Sequence, residues 1–219
     1  MNQRMLRLGA PLALLLIAIS GCSSVYYNTM EKLGYEKRDL LVDRVEDSRA
    51  AQEAARKQFE SALDQFIAVT NYQGGDLEAV YRRLKSEYDD SAARAEAVRT
   101  RIDRVEQVAD DLFAEWKAEL DLYRDPQLRR SSARQLEQTR ARYKQLIAAM
   151  HRAEKGMAPV LSAFQDRVLY LKHNLNARAI ASLRDDRAAI ESDIQTLIKQ
   201  MNASIDEANR FIAEMTKHQ

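Results

Sequence analysis

The sequence predicts an all-α protein, an elongated antiparallel coiled-coil bundle of long helices. Three observations carry that prediction: 31% of the 219 residues are charged, Gly and Pro number only 6 and 3, and apolar or small residues recur at alternating steps of four and three. High charge with few breakers suits long helices and argues against a β-rich domain, which needs frequent turns. The net charge of +1 gives no general attraction to nucleic acid. The single cysteine rules out an internal disulfide and a cysteine-rich metal site.

The first element is a processing segment. Residues 1–21 carry Arg4 and Arg7 and no acid, then an apolar stretch from Leu8 to Ile19, then Ser20 and Gly21 ahead of Cys22. That order is a secretory signal. Its apolar run of about twelve residues falls short of the roughly 20 that a spanning helix needs. Ile19, Ser20, Gly21 and Cys22 resemble the lipobox of bacterial lipoproteins. The resemblance implies cleavage between Gly21 and Cys22, a diacylglyceryl group on the Cys22 sulfur and an acyl chain on the freed amine. Each buried CH₂ adds about 0.8 kcal/mol, so two or more chains hold far better than one. Ser23 follows the cysteine where Asp would favour the inner membrane, and similarity to the enterobacterial sorting rule points to the outer membrane.

Residues 22–35 then read as a lipidated tether and 36–219 as the bundle. In the tether, Tyr26 and Tyr27 suit a bilayer interface, and a plain flexible linker accounts for them equally. The first helical series is Leu41, Val45, Ser48, Gln52, Ala55, Phe59, Ala62, Phe66 and Val69, a heptad seam. It stops at Asn71 to Asp76, where Gly74 and Gly75 supply the positive φ of a helix end and Asp76 caps the next helix.

The second series runs Leu77, Tyr81, Leu84, Tyr88, Ser91, Ala95, Val98, Ile102, Val105, Ala109, Leu112, Trp116, Leu120 and Tyr123 with no Gly or Pro between. A helix over 76–124 would be roughly 73 Å long, natural for a coiled coil. Asp125 and Pro126 end it and start the third, through a tight hairpin. The third carries Leu136, Tyr143, Leu146, Ile147, Met150, Met157, Leu161, Phe164, Val168 and Leu171, with Gly156 and Pro159 expected to kink the rod without ending the bundle. The fourth carries Leu183, Ile190, Ile194, Leu197, Met201, Ile205, Ala208, Phe211 and Met215. No Gly or Pro marks the junction at His173 to Asn176, so one very long third helix is the alternative to four. Length favours four, because a helix over 127–217 would run to roughly 135 Å with half its seam unpartnered.

Charge is blocked around the central hairpin. From Asp103 to Asp121 there are seven acids and two bases, and from Leu128 to Ile147 six bases and one acid. Folded back, the hairpin is expected to bring Asp121 near Arg130, and Asp110 and Asp111 near Arg140 and Arg142. Each exposed pair is worth about 0–1 kcal/mol, so the blocks are expected to act on register and partner choice. An acidic block of similar size within reach also argues against the basic run as a nucleic-acid patch.

Motifs that carry catalytic or cofactor chemistry are missing: there is no Gly-rich phosphate loop, His-Glu-x-x-His helix, Gly-x-Ser-x-Gly elbow or Cys-x-x-Cys pair. His151, His173 and His218 are few and far apart for a metal site. Trp116, Tyr81, Tyr88 and Tyr123 fall on the seam and read as core in preference to ligand stacking. Ser48 and Gln52 fall there too, where polar residues lower stability and fix register.

Several stretches together resemble a proteobacterial lipoprotein family catalogued as domain of unknown function 2959. They are Met30 to Gly34 with Lys37 to Val45, the Gly74 to Leu77 turn, Leu128 to Ser132, and Leu171 to Ala179. The resemblance implies a lipid-anchored helical protein with no established activity and no functional residues to carry over.

These readings together lead us to expect a noncatalytic envelope lipoprotein at the outer membrane, facing the periplasm, serving as scaffold, spacer or docking protein. Its expected partners are the membrane, through the acyl chains on Cys22, and another envelope protein, with no nucleic acid, metal, small-molecule substrate or free cofactor. A periplasmic chaperone or stress-response binder is the alternative and needs an exposed apolar groove, for instance near Gly156 to Pro159. An envelope-remodelling enzyme needs a convergent polar pocket. Cys22→Ala is expected to abolish lipid labelling and leave the precursor uncleaved. Normal processing of that variant would remove the lipobox reading.

Overall fold

The computed structural model describes residues 37–217, and nothing of the side chain of Ala177. The signal segment 1–21 with Gly21, the lipidation residue Cys22, the tether over 22–35 and His218 lie outside the described residues. Four long helices follow one another: α1 (Lys37–Thr70), α2 (Leu77–Glu119, extended by a 3₁₀ turn over Leu120–Leu122), α3 (Pro126–His173) and α4 (Ala177–Thr216). There is no strand among the described residues.

Each junction is built by side chains that stand in for missing helical hydrogen bonds. After α1, Gly74 and Gly75 take φ of 146° and 125°, conformations that side-chain-bearing residues rarely adopt. Asp76 then accepts from the Glu78 and Ala79 amides at 2.9 and 3.2 Å, an N-cap. At the next turn Asp125 accepts from the Gln127 amide at 2.7 Å, with Pro126 opening α3. The α3–α4 junction has neither Gly nor Pro, and asparagines replace them. The Asn174 amide donates to the Leu171 carbonyl at 3.1 Å and its side chain to the Tyr170 carbonyl at 3.0 Å. The Asn176 side chain accepts from the Ala179 amide at 3.0 Å and caps α4. The four-helix arrangement therefore holds over the single very long third helix.

Neighbouring helices are antiparallel. Asp47 meets Arg101 at 3.1 Å, and Gln58 donates to Glu87 at 2.7 Å, so residue numbers rise on α1 as they fall on α2. Glu106 with His151, and Arg99 with Glu154, set the same sense for α2 and α3. Arg142 with Glu214, and Arg167 with Asp186, do so for α3 and α4. Arg49 reaching Asn209 and Arg184 reaching the Thr70 carbonyl close α4 onto α1. Each helix thus packs on two neighbours in an up-down-up-down ring. Across the diagonal, Phe66 on α1 lies 6.0 Å from Phe164 on α3, ring centre to ring centre.

All nine residues of the α1 seam are buried. Every helix buries more than its seam, α1 adding Leu40, Val42, Leu63 and Thr70. Val80, Val108, Phe113, Ala149, Ala153, Val160, Ile180 and Ile198 join the core, because a helix lying between two neighbours needs a wider apolar stripe than a two-stranded coiled coil does. On α4 it is Ser204 that faces fully inward while Ile205 is half-buried. Ser204 keeps phase with Met201 and Ala208, and Ile205 sits on the flank. At the hairpin, α2 ends at Glu119, before the expected 124, and Tyr123 is exposed, since its φ of −67° and ψ of 123° carry it out of the helix. α3 continues through Pro159, which lies on the outside.

Phe66 is fully buried against Phe164, so Phe66→Ala is expected to lower the unfolding free energy by about 3–5 kcal/mol in a denaturant titration. A loss under about 1 kcal/mol would remove the cross-bundle contact from the core.

Candidate functional site

The ring topology gathers the molecule's distinctive surface at its two ends. At one end, Lys37 opens α1 against Glu115 at 2.7 Å, and Arg38 donates to the Met215 carbonyl at 2.5 Å near the end of α4. The α2–α3 hairpin lies at this same end. At the other end are the α1–α2 loop and the α3–α4 junction, joined where Arg187 reaches Asn71 at 3.4 Å. Among the described residues, the exposed large apolar side chains all belong to these ends: Leu122, Tyr123 and Leu128 at the hairpin, and Leu169, Tyr170 and Leu175 at the junction. Beside the junction an open cleft of about 340 Å³ is lined by Asp166, Arg167, Tyr170, Ser182, Leu183 and Asp186. Within it Arg167 meets Asp186 at 3.0 Å.

α2 and α3 lie side by side, but none of the named pairs forms, and one ion pair among the described residues joins the two charge blocks. Asp121 pairs with Arg129 at 2.5 Å, one residue before Arg130. Arg142 turns to α4 and Glu214 at 2.9 Å. Arg140 lies 5.3 Å from the centre of the Phe113 ring and donates to the Phe113 carbonyl at 3.1 Å, with Glu137 beside it at 3.6 Å. Asp110 and Asp111 form no ion pair among the described residues, and one oxygen of Asp111 is buried without a partner. The reason is rotational. Every helix has two neighbours, so a charge on the flank of α3 faces either α2 or α4, and a hairpin considered alone cannot distinguish them.

The other polar contacts that bridge α2 and α3 lie nearer the middle. His151 Nε2 is 2.9 Å from Glu106, its Nδ1 is 3.9 Å from Glu154, and Arg99 reaches Glu154 at 3.2 Å. Tyr143 packs edge-on against Phe113 at 5.4 Å. Burial pushes its phenol up, and the charges of Glu106 and Asp110 push the same way, so Tyr143 stays protonated as a core residue. Trp116 packs against the core and donates from Nε1 to the Ser132 hydroxyl at 2.8 Å. Tyr81 and Tyr88 are half-buried against the same core.

Inside the bundle is a small set of buried polar side chains. Gln52 donates to Ser48 at 3.4 Å, and the Ser48 hydroxyl points to Met150 Sδ at 3.7 Å. The Gln52 carbonyl oxygen and the hydroxyls of Ser91 and Ser204 have no partner. Near Gly156 the surface has a cleft of about 190 Å³ whose apolar lining is the exposed Pro159 with Val160 and Leu197, which are themselves buried. α4 fills the space an apolar groove would need. A Cβ on Gly156 would press on the Gln200 side chain and lie 3.2 Å from Leu197 Cδ1. Among the described residues no group of three or more metal-ligating side chains gathers, and no helix is long and apolar enough to cross a membrane.

This geometry defines an up-down-up-down four-helix bundle with its exposed apolar side chains at the two ends. A family model described as a protein of unknown function (DUF2959) matches residues 26–215, and the chain belongs to that family. No curated protein and no solved structure matches it.

The close approach at Gly156 gives a sharp expectation. Gly156→Ala should stay within about 1 kcal/mol of the parent, because better helix propensity offsets a small displacement of Gln200. Gly156→Leu should cost about 1–3 kcal/mol or more by overpacking, seen in thermal melts. Equal stability of the two variants would mean that α3 and α4 are further apart at this point.

Proposed function

We propose that the chain is a noncatalytic, lipid-anchored envelope lipoprotein that works as a scaffold, spacer or docking protein. Acyl chains on Cys22 hold one end at the membrane, and the bundle presents its other end at a set distance. The observation that supports this reading best is the division between the two ends. The segment that leads from Cys22 enters at the hairpin end, where α1 begins, while Leu169, Tyr170 and Leu175 are exposed at the opposite end. The 48 residues of α3 span about 72 Å between them.

Such a mechanism is positional. A bundle with one continuous core bends little, so the far end sits at a height fixed by helix length. The far end offers apolar contact beside the Arg167–Asp186 pair, a mixture typical of protein docking surfaces. Ser23 after the lipidated cysteine supports an outer-membrane position facing the periplasm. A chaperone role has less behind it, because Val160 and Leu197 near Gly156 are already covered by α3–α4 packing.

The test is site-specific photo-crosslinking in cells from Leu169 and Leu175, compared with the exposed mid-bundle residue Lys144. The expected result is one discrete protein adduct from the two far-end sites, lost in Cys22→Ala and absent from Lys144. Adducts spread evenly over the three sites, or none at the far end, would remove the docking role.

A further inference from the structure

The hairpin end has a feature that anchoring through Cys22 does not explain. α2 and α3 project past the other two helices. Lys37 opens α1 at the level of Glu115, yet α2 and its 3₁₀ turn continue to Leu122, about 10 Å further. α4 ends at Thr216, two residues past the Glu214 contact with Arg142. α3 begins at Pro126, sixteen residues before Arg142, an overhang of about 20 Å. Every residue from 121 to 131 is exposed. Within that projecting tip Leu122 is 78% and Leu128 57% exposed, with Tyr123 alongside. Apolar side chains held out on a protruding hairpin mark a contact surface.

The charges on the tip indicate what the surface meets. Asp125 is engaged in capping α3 and Asp121 in pairing with Arg129. Over residues 121–131 the tip carries Arg124, Arg129 and Arg130 against Asp121 and Asp125, a net charge of +1, and Arg124 and Arg130 engage no acid among the described residues, so two guanidinium groups beside the apolar side chains are left for an outside partner. Leu and Tyr ringed by Arg is the composition that seats in a headgroup layer, with apolar atoms toward the acyl chains, the phenol at the interface and guanidinium groups on phosphates. Position agrees. Cys22 precedes Lys37 by fifteen residues, and a chain of that length reaches at most about 50 Å. The lipidated cysteine and the tip can therefore occupy one membrane surface.

We infer that the α2–α3 tip, with Leu122, Tyr123 and Leu128 flanked by Arg124 and Arg130, is a second membrane contact seated in an anionic phospholipid surface. The inference rests on the lipid-anchor reading and deepens it. A single point of attachment at Cys22 would let the rod swing or lie flat. A second contact at the same end holds it upright, with Leu169 and Leu175 directed away from the bilayer.

The test uses the full-length acylated chain reconstituted in phosphatidylethanolamine–phosphatidylglycerol vesicles that carry doxyl-labelled lipid. With Cys22 acylated, an introduced cysteine is the only free thiol, so Tyr123→Cys and, separately, Leu175→Cys each take one environment-sensitive fluorophore. The expected result is quenching by doxyl lipid at position 123 and none at 175. Quenching at 123 should be lost with Leu122→Asp plus Leu128→Asp, and reduced with Arg124→Glu plus Arg130→Glu or when phosphatidylcholine replaces phosphatidylglycerol. Circular dichroism of the variants reports the fold. Mass spectrometry of the same samples reports the anchor separately. An acylated chain whose position 123 is unquenched overturns the tip contact and leaves the anchor standing, and this includes a label shielded from water by the chain's own tether. A chain without acyl groups that is still quenched at 123 overturns the anchor and keeps the tip. Equal quenching at 123 and 175 overturns the upright placement.

Discussion

The rest of the structure depends on the burial of one face of α1 against all three other helices. Leu41, Val45, Ala55, Phe59 and Phe66 are essentially without solvent exposure, and that requires α2 on one side, α4 on the other and α3 across the diagonal. The face has the length of the helix, so closure is cooperative: α4 cannot leave without uncovering α1, and α1 cannot leave without exposing the diagonal Phe66–Phe164 contact. From this closure follow the antiparallel register, the placement of the start of α1 at the hairpin end, and the appearance of the α1–α2 loop and the α3–α4 junction together at the opposite end. The two ends owe their separation to the core. They owe their chemistry to the short segments that need not pack.

Much of the fold was legible in the sequence because heptad spacing is a direct image of burial. On α1 every seam position is buried, and Leu40, Val42, Leu63 and Thr70 add to them. On α2 and α3 the seam was too narrow, since the four-and-three rule selects one line of contact and each helix here has two, and on α2 it ran past the helix end to the exposed Tyr123. Val108 beside Ala109, Phe113 beside Leu112, and Ala149 beside Met150 make up the second line. Ser204 was missed because a serine carries no apolar signal, and Ile205 next to it does. The asparagine junction was the hardest boundary to read. Asn174 and Asn176 end and begin helices through side-chain hydrogen bonds, and in a linear sequence they resemble ordinary polar surface.

The candidate site was less legible. Charge blocks revealed that α2 and α3 face each other, yet Arg142 meets Glu214 and Arg140 meets the Phe113 carbonyl. A block of charge has no facing of its own, because long side chains on a helix flank reach whichever neighbour is nearer. Leu122 and Leu128 stood outside any seam and were not singled out by periodicity. Their meaning comes from the overhang of the hairpin, a property of relative helix lengths that appears only once the register is known.

That register has an unequal set of causes. An exposed ion pair is worth about 0–1 kcal/mol, whereas a fully buried Leu or Phe is worth about 1.5–3 kcal/mol. The surface pairs along the helices therefore cannot hold the bundle in phase against a slip that misplaced several core residues. The core alone has its own ambiguity, since a shift by one heptad brings one apolar layer onto another. The diagonal contacts of Ser48 with Met150 and of Phe66 with Phe164 break that repetition. Gln52 donates to Ser48 at 3.4 Å within α1, and Ser48 meets Met150 of α3 at 3.7 Å, in an interior made mostly of Leu, Val, Ile, Phe, Met and Ala. A shift of seven residues would leave the Ser48–Gln52 bond intact, since both lie on α1, but would take Ser48 off Met150 and Phe66 off Phe164. Apolar burial supplies the stability, the diagonal contacts at Met150 and Phe164 select one alignment, and that alignment fixes how far the hairpin tip projects beyond α1 and α4.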